Sequence, residues 1–124
     1  MARVLVVDDN RDMVDSLVAL LSVTGHTCFA CYSGTAAFAR VKEHDPDVVV
    51  LDVRMPGMDG WSVARKIREA IPGKRPTLIA MSGEHGASGQ VPAQAALVGV
   101  DYFLVKPADH NVLLSLIEKA PTRS

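Results

Sequence analysis

Short apolar runs alternate with stretches of helical period along this chain, and four of the runs end on residues with reactive or charged side chains. Val4-Leu5-Val6-Val7 leads into Asp8-Asp9, and Val48-Val49-Val50-Leu51 into Asp52. Leu78-Ile79-Ala80-Met81 leads into Ser82-Gly83, and Phe103-Leu104-Val105 into Lys106-Pro107. Runs this short, rich in β-branched residues and bounded by turn signals, predict strands buried on both faces of a parallel sheet. A further strand is expected near 27–31, with the others near 47–52, 77–82 and 102–105.

Between the runs the period becomes helical. Asn10 can cap a helix that places Met13, Leu17, Leu20 and Leu21 on one face, and Gly25 is well placed to end it. Ser33-Gly34 opens a second helix with Ala37, Phe38 and Val41 inward, closed at Asp45-Pro46. The turn-rich stretch Met55-Pro56-Gly57-Met58-Asp59-Gly60 leads into a helix carrying Val63, Ala64, Ile67 and Ile71, stopped by Pro72-Gly73. Gly83, Gly86 and Gly89 loosen the next loop, so a short helix is expected near 92–98, opened by Pro92 and closed by Gly99. A last helix near 109–119 buries Val112, Leu113, Leu116 and Ile117.

Strand and helix thus alternate in five βα units, which argues a parallel sheet with helices on both faces and right-handed crossovers. A flavodoxin-like doubly wound order, 2-1-3-4-5, puts the topological switch point between the first and third strands. Asp8, Asp9 and Asp52 converge there, with Ser82 and Lys106 on neighbouring strand ends. At 124 residues the chain is expected to form one domain, 1–124.

Composition narrows the chemistry. A formal charge of −1, without a basic block and with few aromatic residues, argues against a nucleic-acid surface. The apolar runs are far short of the roughly 20 residues that span a bilayer. With no secretory signal visible either, a cytoplasmic location without membrane contact is expected. Cys28 and Cys31 form a C-x-x-C pair, but in a strand side chains three apart face opposite ways. His26, His44, His85 and His110 show no ligand spacing, so plain thiols are expected rather than a zinc or redox centre.

Three crowded carboxylates repel one another, and Lys106 offsets only one charge. A divalent ion matches the remainder, and oxygen-only donors point to Mg²⁺ or Mn²⁺. Asp9 and Asp52 would bind it directly, and Asp8 through water. A carboxylate beside such an ion can act as nucleophile towards a phosphoryl group. Asp52 suits that role best, with Lys106 offsetting charge and Ser82 placed to hydrogen-bond a phosphoryl oxygen. Taken alone, each acidic residue reads as a cap or strand-end polar group, Ser82 as a cap, Lys106 as a surface lysine and Asp59 as a turn or cap residue. Their combination at four strand ends is what makes a site. Trp61 is expected at the surface of the third helix, near that site.

These residues resemble the receiver domains of two-component response regulators. The resemblance runs from Val4 to about Ile117 and rests on Asp8-Asp9-Asn10, the stretch from Leu51 to Gly60, Met81-Ser82-Gly83 and Val105-Lys106-Pro107. It implies a regulatory acceptor domain rather than an enzyme with a separate substrate. A histidine kinase or histidine phosphotransfer protein would donate a phosphoryl group to Asp52. It also implies Mg²⁺ held by Asp9, Asp52 and the backbone carbonyl of Arg54, and a cis peptide between Lys106 and Pro107. Ser82 and Phe103 match the family's switch positions, where the hydroxyl moves inward on phosphorylation and the aromatic follows. Phe103 lacks a tyrosine hydroxyl, and Tyr102 is expected on the opposite face of the strand. The implied output surface for a downstream protein is the fourth helix, the fifth strand and the last helix.

The stretch from Ser82 to Lys106 is about two residues longer than is usual in the family, read either as a looser loop or as an altered output face. Arg54 and Glu84 lie two residues beyond Asp52 and Ser82, where opposite charges would pair over a phosphoryl group. As solvated side chains they would contribute only about 0–1 kcal/mol. No output domain is expected after residue 124, which leaves a stand-alone regulator, a relay intermediate or a receiver cut from a hybrid kinase. An aspartyl phosphatase is disfavoured because the position of its general acid, two past the nucleophile, is Arg54. The remaining rival is a receiver-like module that binds proteins independently of phosphorylation.

Overall fold

The computed structural model describes residues 1–54, 60–71, 76–83 and 97–122. Five strands form one sheet: β1 (Arg3–Val7), β2 (Thr27–Cys31), β3 (Val48–Asp52), β4 (Thr77–Ser82) and β5 (Tyr102–Val105). Every pairing is parallel and the order is β2-β1-β3-β4-β5. The expected doubly wound topology is therefore present. Among the described residues there are four helices: α1 (Arg11–Val23), α2 (Gly34–His44), α3 (Gly60–Ala70) and α4 (His110–Lys119).

Strand alternation divides the interior into two layers. Leu5, Val7, Val49, Leu51, Leu78, Ala80 and Phe103 pack with Ala37 and Val41 of α2 and Val63, Ala64 and Ile67 of α3. Val4, Val6, Val48, Val50, Ile79, Met81 and Leu104 pack with Val14, Leu17 and Leu21 of α1 and Leu113 and Ile117 of α4. Both faces of the central strands are covered, which is why β3 and β4 are buried along their whole length. At about 1.5–3 kcal/mol for each buried Val, Leu or Ile, these strands are the fold's main source of cohesion.

The helix ends follow local chemistry. The Asn10 side chain accepts a hydrogen bond from the Met13 amide, Ser33 from Thr35 and Asp109 from Asn111. Gly25 follows α1 at φ +99, the left-handed conformation that glycine adopts without a Cβ penalty. Asp45 ends α2 in the left-handed region at φ 48.

Two side-chain expectations need correction. Val112 is 45% exposed rather than buried, because Leu113 and Ile117 define the inward face of α4 and Val112 lies about 100° round from Leu113. In α1 the central inward residue is Val14, while Met13 and Leu20 only flank the core. Tyr102 packs on the α1–α4 side and Phe103 on the α2–α3 side, as expected. Cys28 and Cys31 likewise belong to opposite layers, and both thiols are free. The expected turn at 55–59, the stop at Pro72-Gly73, Glu84 and all but the end of the helix near 92–98 lie outside the described residues.

Candidate functional site

The parallel register carries the carboxyl ends of β1, β3, β4 and β5 to one edge. Leu51 pairs with Val7 and with Ala80, so Asp8 and Asp52 leave neighbouring strands at nearly the same height. Oxygen atoms of Asp8, Asp9 and Asp52 lie within 4.8 Å of one another. Asp8 is 1% exposed and Asp52 6%, whereas Asp9 faces solvent. This cluster could hold a metal ion: its donors are hard carboxylate oxygens, and one of them is open to solvent.

Both carboxylate oxygens of Asp8 are engaged. Its Oδ1 accepts from the Asn10 amide at 3.0 Å, and its Oδ2 from the Lys106 ammonium at 2.7 Å. Asp52 is held more loosely. Its Oδ1 accepts from the Arg54 amide at 3.3 Å, and its Oδ2 lies 3.4 Å from Lys106 Nζ.

Burial, and then the charge of Asp8, raise the Asp52 pKa; Lys106 and the Arg54 amide pull the other way without winning. For Lys106 burial disfavours the ammonium, but Asp8 and Asp52 together outweigh it and raise its pKa. Beside the burial that leads the Asp52 shift, both groups respond to an excess of negative charge that Lys106 alone does not neutralise. A bound divalent cation would relieve that excess, so the donor set fits the metal its composition implies.

Backbone contacts fix the approach to this edge. Lys106 N donates to Ser82 O at 2.8 Å, Val53 N to Met81 O at 2.9 Å and Asp8 N to Cys31 O at 3.1 Å. The Lys106–Pro107 peptide is cis, as expected. Ser82 is buried at the end of β4 and paired with Val105, one residue before the lysine. Arg54 is exposed at the rim. A cavity of about 620 Å³ opens beside Lys106, between α1 and α4, with Met13, Leu17 and Leu113 on its apolar wall.

Two features escaped the reading of the sequence. Gly60 is more than a turn residue: it opens α3 with its amide donating to Val53 O at 2.7 Å. A Cβ there would lie 2.3 Å from the Asp52 carbonyl oxygen and 2.7 Å from Val53 Cα, so only glycine lets α3 start against the Asp52 peptide. Trp61, the next residue, stacks on Phe103 with centroids 6.2 Å apart and planes 18° from parallel. A glycine before the only tryptophan was the available signal for the first; nothing local announces the second, which joins residues distant in sequence.

Comparison with known proteins agrees with this geometry. Residues 4–118 match the family model described as "Response regulator receiver domain". The "Virulence sensor protein BvgS" of Bordetella pertussis (strain Tohama I) is 37% identical over 125 residues, covering 98% of this chain and 10% of that protein. "Protein PilH" of Pseudomonas aeruginosa is 29% identical over 117 residues, covering 94% of this chain and 95% of its own length. The chain thus spans about a tenth of BvgS and nearly all of PilH. In structure it is similar to the chemotaxis protein CheY4 of Vibrio cholerae, with a TM-score of 0.85 at 26% identity over 98% of this chain and 99% of that one.

Proposed function

Because this chain belongs to the response regulator receiver domain family of two-component systems, we propose that it accepts a phosphoryl group from a phosphohistidine donor onto Asp52. The observation that carries this reading is the convergence of the Asp8, Asp9 and Asp52 oxygens within 4.8 Å, with Lys106 Nζ beside two of them.

On this reading the whole chain acts as one receiver domain. A Mg²⁺ ion, or Mn²⁺, would be held by Asp9, Asp52 and the Arg54 backbone carbonyl, with Asp8 acting through water. When bound, it would supply positive charge against the phosphoryl oxygens. The chain's own residues do the rest. An Asp52 oxygen attacks phosphorus, the P–N bond to the donor imidazole breaks, and its electron pair leaves with the donor nitrogen.

Lys106, tethered by Asp8, meets charge on the transferred oxygens. Ser82 donates its hydroxyl to one of them, and Phe103 and Ser82 form the switch pair. Arg54 stands at the rim as a shield against water; its expected partner Glu84 lies outside the described residues. The donor is a histidine kinase or histidine phosphotransfer protein, which sets the reaction in the cytoplasm. The downstream protein reads the segment before β5, β5 itself and α4. The role is regulatory, without turnover of a separate substrate.

Incubation with acetyl phosphate and Mg²⁺, followed by intact mass, tests the proposal. A gain of one phosphoryl group that requires Mg²⁺ and is lost in Asp52→Asn supports it. No gain, from acetyl phosphate or from a phosphorylated histidine kinase, overturns it in favour of phosphorylation-independent protein binding.

A further inference from the structure

We propose that Trp61 is a positioning residue: by stacking on Phe103 it holds that ring in one buried orientation and ties it to the Asp52 peptide through the first turn of α3. The role assigned to Asp52 rests on the phosphoacceptor reading; the stack itself does not.

Three contacts in series carry the inference. Asp52 and Val53 form the floor on which α3 starts, because Gly60 N donates to Val53 O at 2.7 Å and the space beside the Asp52 carbonyl admits no side chain. Trp61 follows Gly60 directly, so the indole's position is set by that same floor. The indole then lies against Phe103 at 6.2 Å and 18°, an offset stack within the favourable range for aromatic pairs. Phe103 in turn sits three residues before Lys106 on β5. The site is therefore closed into a ring from Asp52 through Gly60, Trp61 and Phe103 to Lys106, which returns to Asp52 at 3.4 Å.

The surroundings of Phe103 give the stack its weight. The ring is 2% exposed. Ala80 stands opposite it on β4, and the same layer holds Ala64, Val63 and Val100 together with the larger Leu51, Ile67 and Leu78. As phenylalanine it has no hydroxyl by which a polar partner could draw it outward. The indole is the one large aromatic surface stacked on it among the described residues. Phe103 would then hold its inward position whether or not Asp52 is phosphorylated, so that Ser82 is the member of the switch pair that moves.

The test uses the full chain labelled with 4-fluorophenylalanine at Phe29, Phe38 and Phe103, the resonance of Phe103 being assigned with Phe103→Leu. Paramagnetic relaxation by a soluble gadolinium chelate reports exposure of each ring. In Trp61→Leu the relaxation of the Phe103 fluorine should rise about two- to tenfold, the population change set by losing one aromatic pair. Phe29 and Phe38 should not change, and Trp61→Phe should restore protection. Protection of Phe103 in Trp61→Leu equal to that of the parent overturns the proposal, as does equal loosening of all three rings.

A second arm adds acetyl phosphate and Mg²⁺ with mass spectrometry alongside. In phosphorylated parent protein the protection of Phe103 should stay unchanged, whereas a change as large as that caused by Trp61→Leu overturns the lock. Absence of a mass gain removes the phosphoacceptor reading and leaves the first arm to decide the stack.

Discussion

Lys106 Nζ lies 2.7 Å from Asp8 and 3.4 Å from Asp52, so one ammonium bridges two carboxylates that are almost wholly buried. Its removal separates two effects. Lys106→Ala deletes the cation proposed to meet the transferred oxygens, and the rate of Asp52 phosphorylation by acetyl phosphate should fall about 10²- to 10³-fold. Mg²⁺ affinity, measured by calorimetric titration, should rise instead, since the same carboxylates lose a competing positive charge. A parallel loss of metal affinity would mean that Lys106 mainly holds the site together.

The raised Asp52 pKa gives a pH dependence of definite sign. The folded chain binds this proton more tightly than the unfolded chain, first through burial and then through the charge of Asp8. That contribution to stability is fully present below the ordinary carboxylate pKa and is lost as pH rises through the folded-state value. Asp52→Asn cannot ionise, so in metal-free buffer at neutral pH its Tm should exceed the parent's by a few degrees. The gap should close in acid. Thermal scans at several pH values check this, and added Mg²⁺ should narrow the neutral gap by stabilising the parent selectively.

Gly60 admits no side chain without moving the Asp52–Val53 backbone. Gly60→Ala should cost at least ~1–3 kcal/mol in urea unfolding, the range for forced overpacking. Mg²⁺ binding should weaken with it, because the displaced peptide leads into the stretch proposed to hold the ion.

A second clamp lies away from the acidic cluster. Arg68 donates from Nε to Gly99 O at 2.9 Å and from Nη2 to Asp101 Oδ2 at 2.6 Å, and the same carboxylate oxygen accepts the Leu78 amide at 2.8 Å. One side chain thus ties α3 to the entrances of β4 and β5. Arg68→Ala should lower stability by about 1.5–3 kcal/mol, the range for charged hydrogen bonds. Hydrogen exchange should show the loss first at the amides of Leu78 and Asp101. Uniform acceleration across the sheet would instead point to a global loss of stability.

Much of this was readable along the chain because a doubly wound sheet writes its signals locally. Apolar runs with turn residues at their ends gave β4 and β5 their observed bounds, and the polar residue closing each of these two marked the site edge. Asn10, Ser33 and Gly25 punctuate the helices through contacts within a few residues. What local pattern could not supply was cross-chain geometry. The exposure of Val112 depends on how α4 rolls against β5, and the Trp61–Phe103 stack on where α3 begins. Gly60 looked like any turn glycine because the atoms it must avoid belong to Leu51, Asp52 and Val53 at the end of β3.

The sheet also partitions the molecule. Leu17 and Leu113 belong to one layer, Ile67 and Phe103 to the other, and the strands send alternate side chains to each. A cavity made by Leu17→Ala and one made by Ile67→Ala therefore have no common lining, and their destabilisations should sum in double-mutant cycles. In evolutionary terms, the half that bears the cavity beside Lys106 and the half that bears Trp61 can accumulate substitutions on separate ledgers. Lineages are free to redesign one side while the other stands still.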